Sequence, residues 1–167
     1  MVSAHRFGLL TPELARQLGT VPKTANLYYP CLATLNSGAT LDFVYLAEAE
    51  QWFAEWGVWP DEDPGKRSIA IEKIARVQDS PSRLPAWAAE KLYEAGESGM
   101  GYTIFTLCFA GGAKQAYGTG NAIDFVSYPI GQSASTIVEV LPHEGREQAP
   151  RKCPDYVWCL YSLQGLT

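Results

Sequence analysis

The feature that most constrains the fold is a pattern that occurs twice along the chain. Residues 34–38 and residues 108–112 each place a glycine turn between an apolar run and a return run. An I-x-x-V phrase follows each pattern, at residues 74–77 and 137–140. Because tight turns join antiparallel neighbours, both patterns predict a β-hairpin. We therefore expect the sheet to be built from hairpins.

Chain length and composition bound the fold class. The chain has 167 residues, of which 47% are hydrophobic and 19% charged, and this is enough apolar material for a compact core. We predict an α+β fold: an antiparallel, hairpin-built sheet, open or closed into a barrel, with two or three short covering helices. One domain over residues 1–167 is expected. A weak internal duplication into two β-units, at about 28–80 and 101–161, is the second interpretation.

Helix signals appear in three segments. Pro12 suits the first position of a helix over residues 12–18. Apolar spacing favours a second helix over residues 47–56, and a third apolar stripe predicts a helix over residues 85–95. Residues 68–71 alternate in polarity instead, which predicts a short strand.

Three glycines at positions 96, 99 and 101 raise the question of a phosphate-binding loop. Phosphate loops precede a helix, because the helix N-terminus supplies unpaired N–H groups and the positive end of the dipole. Here Gly96 follows a predicted helix, so these glycines are interpreted as the helix end and the turn before the next strand. Ser98 lies in the same segment without a G-x-S-x-G context, so serine chemistry is not predicted.

Charge excludes several partners. The net charge is −5, from 13 basic and 18 acidic residues, whereas nucleic-acid binding needs a basic surface. Nucleic acid and anionic membranes are therefore not expected as partners. The sequence has no signal-peptide pattern and no long apolar run, so we expect a soluble, cytoplasmic protein. No pattern calls for a cofactor, and no cysteine or histidine spacing fits a metal site.

One group of residues could support catalysis. His143 follows a predicted strand, and a histidine there can act as a general base. Cys153 or Cys159 could be the nucleophile, with Glu144 or Asp155 orienting the ring. The alternative is that His143 pairs locally while Cys159 is buried on its strand, as strand cysteines usually are.

An aromatic and acidic segment is the candidate binding surface. Trp52, Trp56 and Trp59 lie close in sequence to Asp61 and Asp63. Exposed aromatic side chains beside acids could stack on a sugar or take a basic peptide. The alternative is that Trp52 and Trp56 form the apolar face of a helix that packs on the sheet.

Two hypotheses about function follow. The first is a small acidic binding or protein-interaction module without catalysis, since no strong catalytic signature is present. The second is a thiol- or histidine-assisted hydrolase or transferase that uses His143 with Cys153 or Cys159.

Overall fold

The computed structural model describes residues 6–163. Within them lie three α-helices and eight strands, which confirms the predicted α+β class. In chain order they are α1 (Pro12–Leu18), β1 (Tyr29–Leu35), β2 (Thr40–Glu48), α2 (Ala49–Trp56), β3 (Ile74–Asp79), α3 (Ala86–Ala95), β4 (Thr103–Phe109), β5 (Lys114–Thr119), β6 (Ile137–Pro142), β7 (Arg151–Lys152) and β8 (Val157–Tyr161).

Two compact units divide the chain. The described parts of Met1–Ser80 and Asp155–Thr167 form unit 1, and Pro81–Pro154 form unit 2. Each unit holds a four-stranded sheet, with the order β3-β1-β2-β8 in unit 1 and β6-β4-β5-β7 in unit 2. Neither sheet closes into a barrel within the described part of the chain. The expectation of a single domain over residues 1–167 stays a prediction.

The two sheets have the same topology. In each, the first strand pairs antiparallel with the second and the third strands of the unit, and the second strand pairs parallel with the fourth. The parallel pairs, β2–β8 and β5–β7, come in addition to the antiparallel, hairpin-built pairing that the sequence predicted. A tight turn forces antiparallel pairing, but a strand that arrives after a long connection can run either way.

Both hairpin turns use the same backbone device. Gly38 and Gly112 have φ angles of 91° and 96°, in the region that favours glycine. Their amides donate to the carbonyls of Leu35 and Phe109 at 2.9 and 3.1 Å. The glycine turns predicted from the sequence are therefore present and equivalent.

The I-x-x-V phrases occupy the third strand of each sheet. Ile74 and Val77 are buried on β3, and Ile137 and Val140 are buried on β6. Each pair belongs to the apolar core of its unit. The phrase marks the strand that packs closest to the helix preceding the hairpin, α1 in unit 1 and α3 in unit 2.

One face of each sheet packs on that helix. Leu14 and Leu18 of α1 are buried in the unit 1 core, and Ala88 and Leu92 of α3 are buried in the unit 2 core. Helical side chains at i and i+4 lie on one face, which explains why these pairs meet the sheet together. The predicted helix bounds of 12–18 are confirmed.

The other face of the unit 1 sheet carries aromatic side chains. Tyr45 and Trp158 stack with ring centroids 5.0 Å apart, and Trp52 of α2 contacts Trp158 edge-on at 5.2 Å. Both Trp52 and Trp158 are buried. Helix α2 therefore covers this face, so the unit 1 sheet lies between two helices.

Two local predictions need correction. Helix α2 begins at Ala49, not Ala47, because the Glu48 carboxylate accepts from the Glu50 and Gln51 amides and so caps the helix. The strand predicted over residues 68–71 is wrong. Only Ser68 makes a β-bridge there, and a 3-10 turn begins at Ile71.

Candidate functional site

His143, the histidine singled out from the sequence, lies at the end of β6 in unit 2. Its backbone has a φ angle of 67°, which is uncommon for a residue with a side chain. Its amide donates to the Ile104 carbonyl at 2.7 Å, so the β6–β4 pairing continues through it. The side chain is exposed.

The imidazole ring of His143 joins two segments. Its Nε2 lies 3.2 Å from the Ala95 carbonyl oxygen, and its Nδ1 lies 2.8 Å from Ser98 Oγ. A carbonyl only accepts, so Nε2 carries a proton and donates it to the Ala95 carbonyl. Ser98 Oγ in turn accepts from the Ile104 amide at 2.8 Å. His143 thus satisfies the last carbonyl of α3.

Left-handed backbone recurs in the loop after β6. His143, Gly145 and Ala149 have φ angles of 67°, 108° and 49°. A Cβ at Gly145 would lie 2.5 Å from Thr106 Oγ1, so only glycine fits. The same Thr106 hydroxyl donates to the Glu144 carbonyl at 2.9 Å. Non-glycine residues in this conformation persist only where surrounding contacts hold them, and they cluster at functional sites.

A groove of about 700 Å³ lies between this loop and the sheet. It is on the face opposite α3, because the groove-lining Thr106 alternates along β4 with Phe105 and Leu107 of the core. The groove is lined by Thr106, by residues 114–116 of β5, by Leu141 and by residues 143–148. Its charged lining residues are Lys114, Glu144, Arg146 and Glu147.

Arg146 was not anticipated from the sequence. Its Nη1 donates to the Tyr102 hydroxyl at 2.9 Å, and its guanidinium lies 5.4 Å from the Tyr102 ring centre. The Tyr102 ring lies against Gly99, where it would collide with any Cβ. The run of charged residues after His143 in the sequence is a pattern from which a role for Arg146 could have been predicted. Lys114 had no comparable signal.

The predicted cysteines do not line the groove. Cys153 is buried in the unit 2 core, and Cys159 is buried on β8 in unit 1. Burial raises the pKa of each thiol to about 12. The thiolate is the nucleophilic form, so burial disfavours nucleophilic attack by either thiol near neutral pH. Of the predicted catalytic set, the groove gathers His143 and Glu144, and Asp155 belongs to unit 1.

The predicted tryptophans belong to the aromatic cluster of unit 1. Trp52 and Trp59 are buried, and Trp56 is half-buried. The rings of Trp52 and Trp56 are stacked at 5.6 Å, and Trp56 Nε1 donates to the Tyr28 hydroxyl at 2.9 Å. These contacts are those of a helix face packed on a sheet, as in the second interpretation of the segment.

The neighbouring acids are engaged locally. Asp61 pairs with Arg6, and Asp63 pairs with Lys66. The Lys66 hydrogen bond, followed by that of the Gly65 amide, lowers the pKa of Asp63. The tryptophan and acidic side chains are thus mostly committed to contacts within unit 1, and they form a weaker candidate surface than the groove.

The described residues include neither a metal-binding cluster nor a membrane-spanning helix. Across residues 6–163, no cluster of three or more His, Cys, Asp or Glu side chains is arranged to hold a metal ion. None of the helices in that range has the length and apolar character that crossing a bilayer requires. No protein-family model, curated protein or solved structure matches the chain.

Proposed function

We propose that the chain is a non-catalytic protein-interaction module and that the groove of unit 2 takes an extended segment of the partner. One observation carries the proposal. The short strand β7 pairs with Tyr117 and Gly118 only, so the part of β5 that borders the groove, residues 114–116, has no strand neighbour on its outer side among the described residues.

Size and polarity of the groove support a peptide partner. Ligand sites usually measure about 300–1,000 Å³, and the groove falls in that range. Its lining includes two cationic side chains, Lys114 and Arg146, and two anionic ones, Glu144 and Glu147. A partner segment that carries charges of both signs complements such a lining, and electrostatic complementarity favours correct encounters.

A random linear peptide library displayed on phage tests the proposal. We expect selection on the full chain to enrich sequences with both acidic and basic residues. Lys114→Glu should weaken a selected peptide about tenfold or more, because it reverses a groove charge. Lys91→Glu is the matched control, since Lys91 is an exposed lysine of α3 outside the groove lining. Lack of enrichment, or equal weakening by both variants, would contradict the proposal.

A second candidate function is a histidine-assisted hydrolase or transferase. The 2.8 Å contact between Ser98 Oγ and His143 Nδ1 favours it, since a serine is activated by an adjacent base. The Ile104 amide, however, already occupies a lone pair of Ser98 Oγ. Labelling by a fluorophosphonate probe in wild type but not in Ser98→Ala would support this function. If the probe does not label the wild type, the serine-based hydrolase or transferase function is ruled out.

We place the proposed interaction in the cytoplasm. Cys108, Cys153 and Cys159 carry thiols that form no disulfide, and all three are buried. Free buried thiols are typical of proteins in reducing compartments. Fractionation of cells that express the tagged full chain is the direct test, and recovery in a secreted fraction would contradict the assignment.

A further inference from the structure

We infer that the partner segment adds to the unit 2 sheet as a fifth strand, along the outer edge of β5. The outer edge is the side of β5 that faces away from β4. This inference rests on the proposed function and specifies how the groove binds. Peptides that extend a sheet gain affinity from main-chain hydrogen bonds and specificity from alternate side chains.

Backbone alternation shows which groups of β5 face outward. The hairpin closes with the Phe109 amide donating to the Ala113 carbonyl. Opposed residues of an antiparallel pair alternate between bonded and non-bonded. The bonded pairs therefore include Leu107 with Gln115, whereas Lys114 and Ala116 direct their N–H and C=O groups away from β4.

Two observed bonds agree with that direction. The Gly118 carbonyl, two residues further along β5, accepts from the Cys153 amide at 3.0 Å, so it faces outward toward the β7 side. The Ala116 carbonyl accepts from the Gln115 side-chain amide at 2.8 Å. That side chain occupies a position where a strand neighbour would supply an amide, and a bound peptide can displace it.

Among the described residues, no strand lies beside residues 114–116 because the chain bends before β7. Ala149 has a φ angle of 49°, and Pro150 has no N–H to donate. A straight extension of β7 toward its start would have run beside residues 114–116. The bend instead makes Arg151 the first residue of β7, and the preceding loop forms the opposite wall of the groove.

Unit 1 shows how the same edge is closed. At the equivalent place in β2, the pairing with β1 shifts register between Cys31 and Ala33, which marks a β-bulge. Phe43 has a φ angle of 62° there, and the Asp42 carboxylate accepts its amide at 2.7 Å. Bulges block edge pairing. The β4–β5 register has no shift, so β5 keeps a regular edge.

Side chains at the edge define the partner chemistry. Lys114 is exposed, and none of the ion pairs between described residues involves it. Ala116 has only a methyl side chain, which leaves room for a second backbone beside it once the Gln115 side chain is displaced. The occupant is therefore a short extended peptide with an acidic side chain beside Lys114 and a basic one beside Glu144 or Glu147. Cross-strand opposite charges stabilise such a pair.

Amide hydrogen exchange of the full chain, with and without a peptide selected on the groove, tests strand addition. We expect the amides of Lys114 and Ala116 to slow about tenfold or more on binding, because each gains a bonded acceptor. The Gln115 and Tyr117 amides are internal controls, since they already face β4.

N-methylation of the peptide supplies a second measurement. Methylation of every second backbone nitrogen should abolish binding, because alternate amides of a strand face its neighbour. Methylation of the nitrogens in between should be tolerated. Peptides that bind while tolerating methylation at all positions would overturn strand addition and leave the proposed function intact. Absence of any selected peptide would overturn both. If the amides of Lys114 and Ala116 become protected as protein concentration rises, without any peptide, the edge binds a second copy of the chain. That result would overturn the peptide as the occupant of this edge.

Discussion

Unit 1 and unit 2 share strand order, strand directions and hairpin turns. They differ in the sheet face opposite the first helix of each unit and in the outer edge of the second strand, both of which are closed in unit 1 and more open in unit 2. In unit 1, α2 and Trp158 cover the face, and the bulge at Phe43 breaks the edge. In unit 2, the equivalent face carries the smaller Thr106 and Ala116 under the groove. The difference teaches that side-chain volume and one bulge can distinguish two sheets of the same topology, and we propose that they leave the unit 2 sheet as the one open to a partner strand.

Thiol reactivity should be equally low in both units. Each of Cys153 and Cys159 has a pKa raised by burial from 9.0 to about 12. The thiolate fraction near neutral pH should therefore fall roughly a thousandfold below that of an ordinary cysteine. Iodoacetamide labelling followed by mass spectrometry of native and urea-unfolded chain measures it. Rapid native labelling of either residue would restore the thiol-based catalytic hypothesis.

The same thiols give a pH dependence of stability. Their raised pKa values stabilise the folded chain below pH 9, where folded and unfolded thiols are both neutral. That contribution is lost as pH rises from about 9 toward 12, because only the unfolded chain then releases its protons freely. Urea titrations across this range should show a falling free energy of unfolding. A constant value would show that the thiols are not buried.

Removing the aromatic cover should affect unit 1 strongly. Trp158→Ala is expected to lower the free energy of unfolding by about 3–5 kcal/mol, because it deletes a buried ring and leaves a cavity. Leu141→Ala, on the free face of unit 2, should cost about 1 kcal/mol because Leu141 is only half-buried. Urea unfolding with the m-value checked measures both changes. If both substitutions lower the free energy of unfolding by the same amount, the two sheet faces are not packed differently.

The loop of unit 2 should depend on Gly145. An alanine there would place its Cβ 2.5 Å from Thr106 Oγ1 at a φ angle of 108°. We expect a loss of about 3 kcal/mol from backbone strain and overpacking together. Gly112→Ala is the matched control, because it has a φ angle of 96° with open space around the new Cβ. It should cost only the backbone part, about 1 kcal/mol, in the same thermal or urea unfolding measurement.

The smallest expected effect concerns how the two helices begin. Thr11 Oγ1 accepts from the Leu14 amide at 3.2 Å and caps α1, whereas Pro85 gives α3 no side-chain cap. Thr11→Ala should destabilise the chain by about 1 kcal/mol, and Thr11→Ser should be nearly neutral. Urea unfolding of both variants measures the difference. If Thr11→Ser costs as much as Thr11→Ala, capping is not the cause.

Some of the candidate site was visible in the sequence. His143 and Glu144 were identified because a polar pair directly after a strand is a common place for a functional side chain. Ser98 was set aside for lack of a motif, although it lies 2.8 Å from the His143 ring. These two residues are 45 apart in sequence, and no local pattern encodes a contact at that separation.

The sequence by itself determined the local elements: the bounds of α1, both hairpin turns, the strand that carries the second I-x-x-V phrase and Gly96, which has a positive φ angle and ends α3. Each depends on backbone conformation and side-chain periodicity within a few neighbouring residues. Only the tertiary structure decided the parallel fourth strands, the strand conformation of residues 74–77, the burial of Cys153, and the lack of a strand beside residues 114–116 among the described residues. Those features depend on which distant segments pack together, and such packing is set by the whole core and not by any local pattern.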